Sequence, residues 1–267
     1  MIKNTKNEDF EIPEDEMLNI FKDSMNKLIY KESKMRDYNF NDKKLLLIKA
    51  NMKLGKTKAL RNYLEENKNE NQHVIFISLR ILFTLDVNKN FLDFKNYLLL
   101  NKNKISIKEY KKIIIQIESL HKLSLDVIPD LLILDESESI LGQFSSPYCK
   151  SNLRTIWEIF EFLLRTSKKI ICMDANLGER TFNVFNKLYN INEMYLHYNT
   201  YSTMANDEYI FIMNMKKFIE KLEENIQMNK KIVIPVNSLK TAKIINKYIL
   251  DNFKEKRVCL YSSESDD

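Results

Sequence analysis

Short apolar runs alternate with stretches of helical periodicity along most of the sequence. Runs of this length, rich in Ile, Leu and Val, are typical of strands that are buried on both faces. Strands separated by helices predict an α/β fold, a parallel sheet covered by helices on both faces. The predicted strands are residues 45–50, 73–79, 111–117, 130–136, 168–175 and 192–199, and the predicted helices are 56–67, 93–100, 153–166 and 179–189.

The periodicity also divides the chain into three parts. Residues 1–40 are polar with a helical pattern between Met17 and Ile29, and we interpret them as an N-terminal helical extension. Residues 41–205 form the main α/β domain. Residues 206–267 predict strands at 208–214, 230–238 and 256–263 and helices at 215–229 and 239–253. These elements are too few to bury an independent core, so we expect an incomplete second α/β domain.

Composition narrows the class of protein. Hydrophobic residues make up 44% and charged residues 30%, which is typical of a globular domain. No apolar run approaches the roughly 20 residues needed to cross a bilayer, and the polar first residues do not resemble a signal peptide. We therefore expect a soluble intracellular protein with no membrane partner. The three cysteines and three histidines are widely spaced, which argues against disulfides and against a zinc site.

Two compositional biases bear on function. The net charge of +5 suits a nucleic-acid partner, but Lys, Asn and Ile are abundant throughout, as AT-rich coding DNA would impose on any protein. The same bias makes glycine rare, with only Gly55, Gly142 and Gly178 in the chain. We expect such glycines mainly where the backbone requires one.

The segment 48–60, IKANMKLGKTKAL, joins a predicted strand to a predicted helix. Its central residues fit the frame of a phosphate-binding loop, with alanine in place of the first glycine. In such a loop backbone N–H groups and the helix dipole face phosphate oxygens. Lys56 would reach the β- and γ-phosphates, and Thr57 would hold Mg²⁺. A lysine-rich helix start is the alternative. The predicted nucleotide-binding residues are Ala50, Asn51, Met52, Lys53, Leu54, Gly55, Lys56 and Thr57.

Two adjacent acids end the apolar run LLILDE at residues 131–136. Asp135 would coordinate Mg²⁺, and Glu136 would orient and polarise an attacking water. Adjacent acids are common on loops, so the pair alone is a weak motif. Its position at a strand end, after a phosphate-binding loop, is what indicates a nucleotide site. Together the two motifs predict ATP and Mg²⁺ as cofactors, with Lys56 and Glu136 as catalytic residues.

Further polar residues follow other predicted strands. Asp174 ends the strand 168–175 and is a candidate for coupling the phosphate site to a nucleic-acid face, or else caps the next helix. Arg80, Ser119 and His121 follow two other strands and are candidates for nucleic-acid contact. A solvated arginine and a hydrogen-bonded structural histidine are the alternatives for these positions.

Six sequence blocks resemble the herpesvirus-type replication origin-binding proteins, which are superfamily 2 DNA helicases. The resemblance runs from about residue 43 to the end of the sequence. It rests on the order and spacing of the blocks ANMKLGKTKAL, FISLRI, IIIQIESLHKL, LLILDESESILGQFSSP, ICMDANL and IVIPVNSLKTA.

The resemblance implies two RecA-like lobes and assigns roles to matching residues. Lys56 and Thr57 match the ATP-binding loop, and Asp135 and Glu136 match the Mg²⁺ and catalytic acids. Asp174 matches the coupling block, whereas the blocks of DNA contact contain Arg80, Ser119 and His121. Ser238 lies in the first block of the second lobe and is a further candidate for DNA contact. DNA, other replication proteins, and a nuclear or viral replication site are implied as partners and location.

The sequence departs from the family in two respects. Lys53 stands where many members have glycine, although a lysine does not easily adopt positive φ. The late helicase motifs, which supply an arginine finger, are not found before Asp267. We therefore expect an ATP-dependent DNA helicase of which this chain is the ATP-binding portion, with weak or no activity alone. A self-contained P-loop NTPase switch and a truncated, non-catalytic nucleic-acid-binding protein are the alternatives.

Overall fold

The structure is a computed structural model that describes residues 25–79, 91–100, 102–202, 214–236 and 238–260. The described residues form two compact units, one before and one after the gap at 203–213. None of the described helices is long and apolar enough to cross a bilayer. The expectations for Met17, Arg80 and most of 208–214 lie outside the described residues.

A parallel eight-stranded sheet forms the centre of the larger unit. Its strand order is β1-β10-β2-β9-β8-β3-β6-β4, and every neighbouring pair is parallel. A two-residue pair, β5 and β7, lies apart from it. The strands are β1 (Asn26–Tyr30), β2 (Leu45–Ala50), β3 (Val74–Ser78), β4 (Lys95–Asn96), β5 (Ile105–Ser106), β6 (Lys112–Gln116), β7 (Leu123–Ser124), β8 (Leu131–Asp135), β9 (Lys169–Asp174) and β10 (Met194–Asn199).

Helices cover both faces of this sheet, as the alternating pattern predicts. The helices of the larger unit are α1 (Lys56–Glu66), α2 (Tyr97–Leu100), α3 (Ser137–Gly142), α4 (Leu153–Thr166) and α5 (Glu179–Leu188), with short 3₁₀ turns at Ile117–Lys122, Gln143–Ser145, Pro147–Asn152 and Ile191–Glu193. Strand β2 shows the two-sided burial. Leu45 and Leu47 belong to the core under α4 and α5, whereas Leu46 and Ile48 belong to the core under α1.

The N-terminal helical interpretation is wrong where the structure describes it. Residues Asn26–Tyr30 form β1 and pair in parallel with β10 at the edge of the sheet. Met25, Tyr38 and Phe40 are buried in the cores of the larger unit. Pairing with a neighbouring strand supplies backbone hydrogen bonds that local periodicity does not reveal, so tertiary context overrides the helical spacing.

The predicted helix at 93–100 is confirmed only in its second half, Tyr97–Leu100. The structure places the short strand β4 at Lys95–Asn96 and a single helical turn, α2, after it. Strand β4 pairs with β6. A strand of two residues is too short to show an alternating sequence pattern, so the sequence does not predict it.

The smaller unit contains α6 (Met215–Gln227) and α7 (Leu239–Asn252), close to the predicted helices. Its apolar core is formed by Leu222, Ile226, Ile245 and Ile249. The strands predicted at 230–238 and 256–263 are absent from the residues described there. A strand requires a hydrogen-bonded neighbour, and here Ile234 and Val258 instead pack their side chains against the two helices.

Candidate functional site

The loop between β2 and α1 is held from both sides. The Asn51 side-chain amide donates to the backbone oxygen of Tyr201 at 2.9 Å, and the Met35 N–H donates to the Leu54 oxygen at 2.9 Å. Gly55 precedes α1 with φ of 93°, in the left-handed region that favours glycine. A Cβ at this position would meet no heavy atom within 4 Å, so conformation rather than lack of space requires glycine.

Lys53, at the tip of the same loop, has φ of 65°, which costs a side-chain-bearing residue about 1–2 kcal/mol. We therefore expect Lys53→Gly to raise the free energy of unfolding by up to about 1 kcal/mol, after the greater chain entropy of glycine is subtracted. Urea unfolding measures the change. Lys53→Ala is the matched control, because it removes the charge but keeps the Cβ. Equal stability of the two variants would contradict the assignment of strain.

Lys56 begins α1 and is buried. Its ammonium donates to the backbone oxygens of Ala50 at 2.7 Å and Asn51 at 3.3 Å, across the loop. Burial lowers the pKa of Lys56, whereas the negative fields of Glu136, Asp135 and Asp174 oppose this shift. The lysine is thus bonded to the loop and lies within electrostatic reach of three carboxylates.

Asp135 and Glu136 lie where β8 ends, beside β9. Asp135 is buried, and burial together with the neighbouring Glu136 raises its pKa to about 7. Glu136 has φ of 61°, and its N–H donates to the Met173 oxygen at 2.9 Å. Burial also raises the pKa of Glu136, with Asp174 contributing. A strained acid fixed at a strand end is a common feature of functional sites.

The structure brings the sequence-predicted residues of three strand ends together. Ala50 ends β2, Asp174 ends β9 and Asp135 ends β8, and these three strands are neighbours in the sheet. Thr57 is the second residue of α1 and is partly exposed. Met52 and Lys53 form the exposed tip of the loop, whereas Leu54 is buried.

Asp174 caps α3, and Glu138, which lies in α3, caps α5. The Asp174 carboxylate accepts from the N–H of Glu138, in the first turn of α3, at 2.8 Å and from the Asn176 N–H at 2.7 Å. In return, one Glu138 oxygen accepts from the Gly178 N–H at 2.9 Å and the Thr181 N–H at 3.0 Å, at the start of α5. These bonds join the segment after β8 to the segment after β9.

We expect Glu138→Ala to lower the free energy of unfolding by about 1–2 kcal/mol, because two N–H groups at the start of α5 lose their acceptor. Urea unfolding measures this loss. Glu158→Ala is the control, since Glu158 pairs with Arg154 on the surface and its loss should change stability by less than about 1 kcal/mol. A Glu138→Ala loss no larger than that of the control would contradict the capping role.

Sequence reasoning missed two residues of this site. Glu138 stands three residues after Asp135, but its acceptor role becomes visible only when β8 and β9 are neighbours. The buried Tyr38 hydroxyl donates to the Lys56 backbone oxygen at 2.8 Å from a segment that the sequence assigned to an extension. Neither contact has a local sequence signal.

The candidates for nucleic-acid contact have local partners. Ser119 and His121 lie in the 3₁₀ turn after β6, where Ser119 bonds the Tyr97 hydroxyl and His121 Nδ1 lies 3.0 Å from the Glu118 oxygen. In the smaller unit, the Ser238 hydroxyl caps α7 by accepting from the Thr241 N–H at 3.4 Å. Arg80 lies outside the described residues.

The residues at the loop suit a Mg-nucleotide. Three carboxylates interact electrostatically with one lysine, and the pKa of Asp135 is raised by burial and by this excess of negative charge. Among the residues that the structure describes, no group of three or more His, Cys, Asp or Glu could hold a metal by itself. Mg²⁺ is usually held by one or two protein ligands together with phosphates and water, so a site with Thr57 and Asp135 fits this ion.

The fold is RecA-like, a parallel sheet covered by helices on both faces. One solved structure of similar fold is the DEAD-box helicase Mss116 bound to single-stranded RNA and UDP-BeF, with a TM-score of 0.52 and 14% identity. The similarity covers 80% of this chain and 51% of that chain. At this identity the similarity concerns the fold alone.

The chain belongs to the family described as "Origin of replication binding protein", whose model matches residues 33–263. It is 37% identical over 245 residues to a "Putative helicase/primase complex protein" of African swine fever virus, covering 90% of this chain and 23% of that protein. It is 29% identical over 231 residues to a "Replication origin-binding protein" of human herpesvirus 6B, covering 82% and 28%. The chain thus spans about a quarter of the length of these relatives.

Proposed function

We propose that this chain is the ATP-binding portion of an ATP-dependent DNA helicase that acts in DNA replication. The observation that carries the proposal is the electrostatic interaction of Lys56 with Asp135 and Glu136. Lys56 begins α1 after the loop that ends in Gly55, and the two acids lie at the carboxyl end of β8, one strand away from β2 across β9. Family membership supports the connection to replication. The names of the relatives support both the helicase activity and the origin DNA as partner.

Each residue has a distinct role in this proposal. Lys56 leaves the loop oxygens of Ala50 and Asn51 and binds phosphate oxygens instead. The Thr57 hydroxyl and the Asp135 carboxylate would hold Mg²⁺, which would supply positive charge to neutralise the phosphates. Glu136 accepts a proton from water as the water oxygen bonds to the γ-phosphorus and the bond to ADP breaks. The pKa of Glu136 is raised by burial, which brings it nearer to neutral pH, where a general base is most effective.

Coupling to DNA is proposed for the joined segments after β8 and β9. Asp174 bonds the N–H of Glu138, only two residues from the catalytic Glu136. A movement at Glu136 would therefore be transmitted through α3 to the start of α5. Ser119 and His121, at the end of β6, are proposed to meet the DNA backbone at the same edge of the sheet.

The test is binding of a fluorescent ATP analogue with and without Mg²⁺, on the native chain and on Asp135→Asn. Affinity should depend on Mg²⁺ and fall about tenfold or more in the variant, since a charged metal ligand is lost. Asp130→Asn is the matched control, because Asp130 lies just before the opposite end of β8 and pairs with Lys168. Absence of binding, or binding indifferent to Mg²⁺ and to Asp135, would contradict the proposal.

Turnover separates the proposal from its two alternatives. Rapid ATP hydrolysis by this chain alone, unchanged by single-stranded DNA, would favour a self-contained NTPase switch. DNA binding without nucleotide binding would favour a non-catalytic nucleic-acid-binding protein. The helicase proposal expects nucleotide binding with slow or no turnover by this portion.

A further inference from the structure

A group of exposed aromatic and basic side chains lies away from the nucleotide loop. It consists of Tyr148, Lys150, Arg154 and Trp157, on the 3₁₀ turn Pro147–Asn152 and the first turns of α4, and we refer to it as the aromatic platform. Tyr148 is 80% exposed and Trp157 is 40% exposed. Exposed large aromatic side chains on one segment of a surface are characteristic of binding sites.

The topology places this platform at the ligand-binding edge of the sheet. The carboxyl end of α4 lies at the opposite edge, because the Lys44 ammonium, just before β2, donates to the Arg165 oxygen at 2.8 Å. Helix α4 spans about 21 Å at 1.5 Å per residue, so its first turns lie near the carboxyl ends of the strands. Ligands of parallel sheets bind beyond these ends.

The platform also adjoins the residues proposed to contact DNA. Helix α4 packs against the 3₁₀ turn Ile117–Lys122, which contains Ser119 and His121. The turn that carries Tyr148 contacts the same segment, and Glu118 acts electrostatically on Cys149. A strand of nucleic acid that passes Ser119 and His121 would therefore reach the platform next.

The aromatic surface is rigid and is flanked by positive charge. The Trp157 ring packs edge-on against Phe144, with centroids 5.1 Å apart, and lies tilted against Phe160 at 6.1 Å. These contacts hold the ring, and its remaining surface is exposed to solvent. Cys149 is fully buried and anchors the turn between Tyr148 and Lys150. Lys150 and Arg154 are exposed, and Arg154 is paired with Glu158 at 2.8 Å.

We propose that the aromatic platform binds single-stranded nucleic acid, with bases stacked on Tyr148 and Trp157 and phosphates bound by Lys150 and Arg154. Stacking on aromatic rings beside basic side chains is the usual mode of sequence-tolerant single-strand binding. This inference rests on the proposed function, because it extends the DNA path of the helicase. It adds a surface that the predicted contact residues do not include.

Trp157 is the only tryptophan of the chain, so its fluorescence reports directly on the platform. Titration of the full chain with a thymidine oligonucleotide should quench this fluorescence saturably, and a duplex of equal length should bind about tenfold more weakly or worse. Tyr148→Ala should weaken single-strand binding about tenfold. Arg154→Ala should weaken it and reduce the slope of log affinity against log salt by about one.

Arg165→Ala is the matched control, since Arg165 lies on the same helix at the opposite edge and pairs with Glu161 as Arg154 does with Glu158. It should bind the oligonucleotide like the native chain. Equal effects of Arg154→Ala and Arg165→Ala would overturn the proposal, as would oligonucleotide binding, seen by anisotropy, without quenching. A dimer that is seen by sedimentation and is lost in Tyr148→Ala would assign the surface to a second copy instead.

Binding of the fluorescent ATP analogue is measured on the same variants. It should remain unchanged in all of them, because the platform residues lie outside the nucleotide site. Nucleotide binding without oligonucleotide binding would overturn the platform and leave the nucleotide part of the proposed function standing. Quenching by the oligonucleotide without nucleotide binding would support the platform and contradict the helicase proposal.

Discussion

Replacement of Lys56 by alanine is expected to weaken Mg-nucleotide binding about a hundredfold or more, which is roughly 3 kcal/mol. The positive charge of Lys56 interacts electrostatically with Asp135, Glu136 and Asp174. Without it, these carboxylates lose an opposing positive charge, and the negative phosphates of a nucleotide would be repelled. Truncation of one partner in a buried charged cluster commonly costs 2–5 kcal/mol.

Isothermal titration with Mg-ATP measures this effect, and Lys58→Ala is the matched control. Lys58 is an exposed lysine two residues further along α1, so the net charge changes equally in both variants. Thermal unfolding in the absence of nucleotide verifies that each variant is folded. If Lys56→Ala binds Mg-ATP as tightly as Lys58→Ala does, the loop is not a nucleotide-binding site.

Much of the fold follows from local sequence. The apolar runs that end in Ala50, Asp135 and Asp174 form central strands. A strand that is covered on both faces needs apolar side chains on both, and a continuous apolar run supplies them. Helix α4 has the predicted bounds, since its apolar residues recur at helical spacing. The three strand ends converge because parallel strands have their carboxyl ends at the same edge of the sheet, which is where ligands of such sheets bind.

Other parts depend on contacts between distant segments. Strand β1 owes its place to pairing with β10, about 170 residues further along the chain. The hydroxyl of Tyr38 and the carboxylate of Glu138 find their partners only in the assembled sheet. The apolar segments at 230–236 and 257–260 show the converse, because strand-like sequence without a pairing neighbour does not form a strand.

The same assembly buries His197 in the sheet, which gives a second testable consequence. His197 lies on β10 between β1 and β2, with Tyr30 and Tyr38 as ring neighbours at 5.1 and 6.2 Å. Neither ring nitrogen has a hydrogen-bond partner among the described residues. Burial, with a smaller effect of Arg36, lowers the pKa of His197 from 6.5 to about 4.

His197 binds a proton near pH 6.5 in the unfolded chain but only near pH 4 in the folded chain. Acidification between these values therefore favours unfolding. Above pH 6.5 His197 is neutral in both states and has no effect. By pH 4 most of the loss has occurred, and its limit is about 3 kcal/mol. Between pH 7 and pH 4, we therefore expect the free energy of unfolding to fall by about 3 kcal/mol less in His197→Leu than in the native chain.

Urea unfolding of both proteins across this range measures the difference. The buried carboxylates titrate in both proteins, so their contributions cancel when the two pH profiles are subtracted. His121→Leu is the control. His121 is only partly buried, and its Nδ1 lies 3.0 Å from the Glu118 backbone oxygen in the turn after β6. Parallel pH profiles for the native chain and His197→Leu would mean that the sheet accommodates a charged histidine, contrary to the burial of its ring.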